Sequence, residues 1–398
     1  MNTVTSVSAE ISSETEILNL LLNHALENDL PIAFWRLPNT STRYLIISQE
    51  YRSLEKNSPI EELPAGFMFA PFDRDRTTLF LPADFIFRFE NNVLTSPETP
   101  AEIASAAWLS QKFRTWPVGK RVYFKGNTTS SAAGNGTDFI QLVQKGVAAI
   151  EAGKFEKIVP SRTKLVDLPD DFDIVKAFEN LCSKYTNALI SFVSIPNTGS
   201  WLGATPEVLV TVEDKTIFKT VALAGTMPYQ EGMNLRSVAW TQKEIEEQAL
   251  VERYVISCFK KIRLREYDEH GPKTIVAGNL VHLKSDFTVD MKATNFPLLG
   301  SVMLQLLHPT AAVCGMPLES SMDFLKAHEG YDREFYAGYL GPVNVDNNIH
   351  LFVNLRCMKM LDGKALLFAG AGVTIDSVAE KEWEETEVKF NTLLNVIL

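Results

Sequence analysis

Three charged residues near the carboxyl end of the chain are spaced to share one face of a helix. Glu382, Glu385 and Lys389 follow one another at steps of three and four residues, which places their side chains on the same side of an α-helix. Two carboxylates beside an ammonium suit a divalent-cation site with a cation nearby for an anionic ligand. The pattern is equally typical of a solvated helix face with one Glu–Lys pair, so partners elsewhere must decide.

A second acidic pair, Glu244 and Glu247, has the same three-residue spacing. Thr241 and Glu244 have the spacing of a capping box, which predicts a helix that starts there and runs to about Ile262. Magnesium prefers oxygen ligands, often one or two carboxylates, and this helix facing the carboxyl-terminal one would supply them. Taken alone, the pair is also what an acidic first helical turn contains.

Lys157 and Glu207 are candidates for acid–base chemistry. Lys157 precedes the apolar run 158–159, and Glu207 follows a Thr-Pro turn and opens a predicted strand at 208–212. A lysine and a glutamate on opposite sides of a substrate can act as base and acid if both are buried. Each is also common at an exposed strand edge or turn.

Helices and short strands must position these residues. Helices are predicted at 13–28 and 138–152, and Asp376 or Ser377, with Glu380 after it, is the predicted cap of the last helix. Many strands follow one another directly, which favours an α+β fold with mainly antiparallel sheets over a doubly wound parallel sheet. The predicted strands are 32–35, 44–47, 67–69, 78–81, 84–89, 158–159, 189–195, 208–212, 217–223, 274–283, 352–360 and 366–373.

Composition narrows the class of protein. The 398 residues are 45% hydrophobic and 22% charged, with a net charge of −11, which argues against nucleic acid or an anionic membrane as the main partner. The four cysteines form no CxxC pair, no apolar run reaches the roughly 18–20 residues of a membrane span, and no secretory signal opens the chain. A cytoplasmic location is therefore expected. Neither a dinucleotide-binding glycine motif nor a P-loop occurs.

The Gly/Ser/Thr/Asn-rich stretch 126–136 is predicted to be a linker or mobile loop. It separates an amino-terminal extension, 1–125, from a larger domain, 137–398, which contains all of the candidate residues.

Taken together, the candidate stretches resemble those of the chorismate-utilising enzymes, and among them those of the isochorismate synthases. The resemblance covers about 140–398. The matching stretches are KIVPSR at 157–162, GATPE at 203–207, AGT at 224–226, 243–247, HPTAAVCGMP at 308–317, DREFYAGYLGP at 332–342, GAG at 370–372 and EWEETEVK at 382–389.

The resemblance implies large antiparallel sheets packed on each other, helices outside and an active site in a deep cleft. It also implies a magnesium ion that bridges Glu247 and Glu385 to the ring carboxylate of chorismate, with Glu244 and Glu382 in support. Lys389 would approach the same carboxylate. The remaining implied substrate-binding residues are Thr226, His282, Tyr336, Arg356, Gly370, Ala371 and Gly372.

The implied reaction adds water at ring C2 and expels the C4 hydroxyl, with Lys157 as base and Glu207 as acid. Relatives that use ammonia lack the lysine at 157, and aminodeoxychorismate synthases carry a nucleophilic lysine where this chain has Ala224. No glutaminase partner is therefore expected. Salicylate synthase stays open because it shares the acid and the base, and a non-catalytic relative is disfavoured by the intact acid, base and glutamates. Relatives often have His where this chain has Gln248. The pathway, menaquinone or siderophore, is left open.

Overall fold

The computed structural model describes residues 14–90, 93–95, 123–126, 136–229, 232–277 and 280–398. Apart from its two end residues, the predicted linker or mobile loop at 126–136 lies outside the described residues.

Two nine-stranded sheets form the frame of the protein. Neighbouring strands run antiparallel in all described pairings. The first sheet has the order β7-β6-β2-β1-β10-β11-β19-β20-β9, the second has the order β14-β15-β13-β12-β18-β17-β4-β5-β3, and β16 pairs with β8. The strands are β1 Ile32–Arg36, β2 Arg43–Ile47, β3 Arg52–Leu54, β4 Gly66–Ala70, β5 Thr78–Pro82, β6 Phe85–Glu90, β7 Val93–Thr95, β8 Lys157–Ile158, β9 Ser161–Asp167, β10 Leu189–Ile195, β11 Gly199–Thr205, β12 Val208–Glu213, β13 Ile217–Pro228, β14 Asp268–Ala277, β15 Leu280–Asp290, β16 Gly315–Met316, β17 Tyr339–Val343, β18 Ile349–Val353, β19 Cys357–Met360 and β20 Lys364–Gly370.

The amino-terminal strands belong to both sheets. β1 pairs with β10 in the first sheet, and β4 pairs with β17 in the second. Segments 1–125 and 137–398 therefore share their hydrogen-bonded sheets in the part of the chain that the structure describes.

Strand β1 shows why the first sheet is buried on both faces. Side chains alternate across a strand, so Phe34 faces a helix and packs against Phe178 with ring centroids 4.0 Å apart. Its neighbour Trp35 points the other way and meets Phe67 of the second sheet at 5.2 Å. An uninterrupted apolar strand is what a sheet covered on both faces requires, so the first sheet lies between the second sheet and a layer of helices.

The helices lie outside the pair of sheets, as predicted. The helix Gln242–Lys261 packs on the second sheet, where Phe259 lies 6.3 Å from Phe218 of β13 between ring centroids. The predicted α+β fold with large antiparallel sheets and external helices is confirmed. The described helices are α1 Glu14–Glu27, α2 Gly136–Glu151, α3 Ile174–Lys184, α4 Gln242–Lys261, α5 Leu299–Leu307, α6 Leu318–His328 and α7 Ala379–Ile397. None of them is long and apolar enough to cross a bilayer.

Two predicted strands were wrong because each is a pair of strands. The run 274–283 contains parts of β14 and β15, which pair antiparallel with Ala277 opposite Leu280. The Gly-Asn dipeptide at 278–279 is a break signal in the sequence that the flanking apolar residues obscured. The run 352–360 contains β18 and β19, which belong to different sheets. Between them Arg356 has a φ of +47°, a left-handed conformation that hydrophobic periodicity does not reveal.

The predicted cap of the last helix was also wrong. Helix α7 begins at Ala379, and its N-cap residue Val378 makes no side-chain capping bond. The hydroxyl of Ser377 instead accepts a hydrogen bond from the backbone N–H of Thr374 at 3.1 Å. Local side-chain bonding of this kind competes with capping.

Candidate active site

A cavity of about 70 Å³ lies between the ends of the two sheets and collects most of the predicted residues. Strand and helix ends deliver them: Glu207 precedes β12, His282 lies in β15, and Arg356 occupies the crossover between β18 and β19. The predicted residues that line the cavity are Glu207, Thr226, Glu247, His282, Tyr336, Arg356, Gly370, Gly372, Glu385 and Lys389.

Four predicted residues do not line the cavity: Lys157, Glu244, Ala371 and Glu382. Lys157 is completely buried and lies behind the wall, where its ammonium donates to Oε1 of Glu247 at 2.8 Å. The carboxylate of Glu244 accepts the backbone N–H of Thr241 at 3.0 Å, the predicted capping box. Glu244 is therefore turned toward the start of its own helix.

Glu207 is a buried acid in the cavity wall. Burial raises its pKa to about 7, although Lys157, Lys389 and Arg356 act in the opposite direction. The loss of hydration outweighs three nearby cations. A carboxyl with this pKa holds its proton in a substantial fraction of molecules at neutral pH, as a general acid must.

His282 is a neutral hydrogen-bonding group. Burial, together with the charges of Arg356 and Lys389, lowers its pKa to about 3. Its Nδ1 lies 2.9 Å from the carbonyl oxygen of Gly225, so Nδ1 carries the proton and Nε2 is an acceptor. Nε2 is buried and has no partner among the described residues, and it can accept a hydrogen bond from a ligand in the cavity.

The cationic side of the cavity is formed by Arg356 and Lys389. The guanidinium of Arg356 donates to the hydroxyl of Thr392 at 3.3 Å, and burial lowers its pKa. The ammonium of Lys389 donates to the carbonyl oxygen of Gly370 at 2.7 Å and pairs with Glu385 at 2.7 Å. Both groups can meet a carboxylate, and Arg356 can do so with two parallel hydrogen bonds.

Tyr336 closes the same side of the cavity. Its ring stacks on Phe368 with centroids 5.3 Å apart, and burial raises its pKa well above the usual value. The hydroxyl faces Gly370, where an added Cβ would lie 3.1 Å from it. The phenol is therefore a neutral donor beside a stretch of backbone that has no side chain.

Three of the four predicted metal carboxylates are paired with lysines. Glu247 contacts Lys157, Glu385 contacts Lys389, and Lys243 Nζ lies 2.6 Å from Oε1 of Glu382. Among the described residues, no three acidic, histidine or cysteine side chains lie close enough together to hold a metal ion. The metal prediction considered only the acidic residues of these two helices. Lys243, which adjoins Glu244 in the sequence, was the available sign that a lysine pairs with one of them.

The charges of Glu382, Glu385 and Glu247 nevertheless all act on one group, the ammonium of Lys243. Burial lowers the pKa of Lys243, but Glu382, Glu385 and Glu247 outweigh it, so that the pKa is raised overall. Oε2 of Glu382 is buried and has no hydrogen-bond partner among the described residues. An added Cβ at Gly372 would lie 2.4 Å from Oε1 of Glu247, so the carboxylate can occupy this position only because residue 372 has no side chain. The carboxylate oxygens of Glu247, Glu382 and Glu385 fit a magnesium ion by donor type.

The cavity also has apolar walls that sequence reasoning did not single out. Val159, Leu223, Val313 and Phe368 line it, and they exclude water from the charged groups. A larger cavity of about 290 Å³ lies beside α5, lined by the loop around Arg74 and by His308. We place the chemistry in the smaller cavity because it alone, among those described, contains buried acids and cations together.

Comparison with known proteins identifies the family. The family model described as chorismate binding enzyme matches residues 76–398. The chain belongs to this family. The match begins within the predicted amino-terminal extension, in agreement with the shared sheets.

Within this family, the chain is similar to isochorismate synthases and to a salicylate synthase. The chain is 30% identical to isochorismate synthase EntC of Escherichia coli over 267 residues, covering 65% of this chain and 67% of EntC. It is 30% identical to the salicylate biosynthesis isochorismate synthase of Pseudomonas aeruginosa over 259 residues, covering 63% of this chain and 52% of the relative. It is 27% identical to the salicylate synthase of Mycolicibacterium paratuberculosis over 259 residues, covering 63% and 56%.

Solved structures share the fold. The isochorismate synthase DhbC of Bacillus anthracis superposes with a TM-score of 0.72 at 20% identity, covering 95% of this chain and 99% of DhbC. MenF, the menaquinone-specific isochorismate synthase of Escherichia coli, superposes with a TM-score of 0.73 at 19% identity, covering 98% and 92%.

Proposed function

We propose that this protein is a magnesium-dependent isochorismate synthase, which converts chorismate to isochorismate. The observation that carries the proposal is Glu207, a buried carboxyl with a pKa of about 7 that shares its cavity with Arg356 and Lys389. Chorismate carries two carboxylates and a ring hydroxyl that must leave. Two cations and one protonated acid match those three groups.

The reaction needs one proton removed and one supplied. Water attacks ring C2, the ring double bonds shift, and the C4 hydroxyl leaves as water with a proton from Glu207. Lys157 takes a proton of the attacking water, a role in which its ammonium must first give up a proton. The charge of Lys157 acts on Glu207, which supports placing the two groups on one reaction path. Its bond to Glu247 must loosen before the amine can act.

Substrate binding is assigned to groups whose donors face the cavity. Arg356 and Tyr336, with the backbone at Gly370, would hold the enolpyruvyl carboxylate, and Lys389 would contact the ring carboxylate. His282 Nε2 is an acceptor without a protein partner among the described residues, and it would take a substrate hydroxyl.

The proposed magnesium site uses Glu247 and Glu385 in the cavity wall, with Glu382 behind them. Glu244 joins this set only if it leaves the N–H of Thr241, which it accepts at 3.0 Å. When bound, the ion would neutralise and orient the ring carboxylate of the substrate. Mg²⁺ that binds the folded chain would also raise its melting temperature by mass action.

A product assay tests the proposal. The purified protein is incubated with chorismate with and without Mg²⁺, and the products are separated by chromatography. We expect isochorismate, formed only with Mg²⁺, and a loss of at least about a hundredfold in Glu207→Gln. Glu213→Gln is the matched control. Glu213 is the last residue of β12, the strand that Glu207 precedes, and it lies outside the cavity. It pairs with Lys219, and the side chains of Glu213 and Lys219 are 39% and 41% exposed. No consumption of chorismate at any Mg²⁺ concentration would contradict the proposal.

Salicylate synthase is a second candidate function. It is favoured by the 27% identity to the mycobacterial salicylate synthase, and it needs the same acid and base before pyruvate is eliminated. Equal amounts of salicylate and pyruvate in the same assay would favour it. Ammonium added to the assay should give no aminated product, in keeping with the prediction that no glutaminase subunit is required.

A further inference from the structure

Lys243 joins two helices that are far apart in the chain. It lies in the first turn of α4, and its Nζ donates to Oε1 of Glu382 at 2.6 Å, across 139 residues of sequence. The side chain of Glu382 is 1% exposed and that of Lys243 is 25% exposed. The acid is fixed in the interior, and the lysine reaches it from a position with access to solvent.

The three lysines of this region have different surroundings. Lys157 is completely buried, and Lys389 also donates to the carbonyl of Gly370. Lys243 does not line the cavity, and among the described residues its side chain donates to Glu382. Lys389 is thus the one of these three lysines that lines the cavity, Lys157 is enclosed behind the wall, and Lys243 pairs with a buried carboxylate from a partly exposed position.

The ammonium of Lys243 lies where the negative charges of three carboxylates act together. Glu382, Glu385 and Glu247 all attract its ammonium, and without a cation these three carboxylates would repel one another. The point where a lysine is most stabilised by three carboxylates is also a favourable point for a divalent cation. Lys243 occupies Oε1 of Glu382, so Oε2 is the oxygen left for a metal ion while the pair persists. An ammonium and a divalent cation on one carboxylate repel each other.

We propose that Lys243 is a resident counter-ion of the carboxylate cluster, which holds Glu382 before the metal binds and releases it when Mg²⁺ enters. This inference rests on the proposed magnesium dependence. Lys243 thereby weakens metal binding, because its positive charge lies against a carboxylate that the ion would share and repels the ion. Its partly exposed, flexible side chain can move to water at low cost, whereas buried Glu382 stays in place.

Calorimetric titration of the whole protein with MgCl₂, without substrate, tests this role. We expect Lys243→Met to bind Mg²⁺ about tenfold more tightly than the unaltered protein, which is a typical coupling between two ligands. Without Mg²⁺ the variant should melt at a lower temperature, and its gain in melting temperature on adding Mg²⁺ should be larger. Lys260→Met is the matched control, on the exposed end of the same helix, and should change neither quantity.

The outcomes separate this inference from the proposed function. If the unaltered protein binds no Mg²⁺ without substrate, the role of Lys243 is overturned, and the product assay with and without Mg²⁺ decides the proposed function. If it binds Mg²⁺ and Lys243→Met binds with equal or lower affinity, only the role of Lys243 is overturned. Should Lys243→Met fail to fold, Lys243→Gln and Lys243→Arg replace it: the glutamine should tighten Mg²⁺ binding and the arginine, which keeps the charge, should not. Any other order of these two affinities contradicts the proposal.

Discussion

The ammonium of Lys157 lies 2.8 Å from Oε1 of Glu247, and the two residues are 90 positions apart in the sequence. The lysine side chain has no exposure to solvent and that of the glutamate has 16%. A buried pair of this kind adds little net stability, but removing one partner is costly because the other charge stays buried and unpaired.

Lys157→Met should therefore destabilise the protein by about 3 kcal/mol, as measured by urea unfolding. The double variant Lys157→Met/Glu247→Leu should recover most of that loss, because no unpaired charge remains, while isochorismate formation stays absent in both. Lys164→Met is the control, since Lys164 pairs with Glu387 at 36% and 30% exposure and should cost less than about 1 kcal/mol. Equal destabilisation in the single and double variants would contradict the ion-pair explanation.

Activity should fall with rising pH through the pKa of Glu207. The acid must carry its proton to protonate the leaving hydroxyl, and burial raises its pKa to about 7. kcat/KM, which reports the free enzyme, should decline about tenfold per pH unit above that value. Glu213→Gln should keep this limb of the profile. A profile that is flat from pH 7 to 9 would contradict the role of Glu207.

The same group makes stability depend on pH. Because the folded pKa of about 7 lies above the ordinary value of 4.5, the contribution of Glu207 is fully present below pH 4.5 and is lost as pH rises through 7. Glu207→Gln should therefore be more stable than the unaltered protein at pH 8, by a margin that disappears at pH 4.5. Urea midpoints at the two pH values measure this. If the stability of Glu207→Gln minus that of the unaltered protein is smaller at pH 8 than at pH 4.5, the raised pKa of Glu207 is contradicted.

The pattern of apolar residues predicted the two-sheet frame, because the residues that it marks as apolar are those that the packed sheets bury. The apolar strand at β10 was predicted with the observed bounds, Leu189–Ile195, since both of its faces are covered. The capping box of α4 was predicted from Thr241 and Glu244, because capping is a local interaction. Glu207 was found through the motif GATPE at 203–207, whereas Arg356 lies outside the matching stretches and was predicted as a substrate-binding residue that the resemblance implies.

The remaining features depend on contacts between distant segments. The crossover at Arg356 uses a left-handed φ of +47°, which arginine rarely adopts and no hydrophobic pattern marks. The ion pair of Lys243 with Glu382 joins two helices whose relative position follows from packing. Which acids face a cavity and which face a lysine is likewise decided by that packing, so sequence spacing could group the glutamates but not assign their partners.

His282 and His308 form a matched pair for testing substrate contact. Both are buried and neutral, with a pKa of about 3 for His282 and about 4 for His308, but only His282 lines the candidate active site. His282→Phe should raise KM for chorismate about tenfold, the usual cost of a lost hydrogen bond to a ligand. His308→Phe should lower the melting temperature and leave KM unchanged. Equal effects of the two variants on KM would exclude a specific contact at His282.

Gly372→Ala tests how closely Glu247 must be placed. The φ of Gly372 is not in the left-handed region, so alanine is acceptable to the backbone, but its Cβ would lie 2.4 Å from Oε1 of Glu247 and 3.3 Å from Cε of Lys157. The carboxylate must move by about 1 Å, a displacement that can cost a hundredfold in turnover. We expect that loss together with weaker Mg²⁺ binding, while the melting temperature without Mg²⁺ changes little. If turnover and Mg²⁺ affinity are both retained, the position of Glu247 next to Gly372 is not what the chemistry requires.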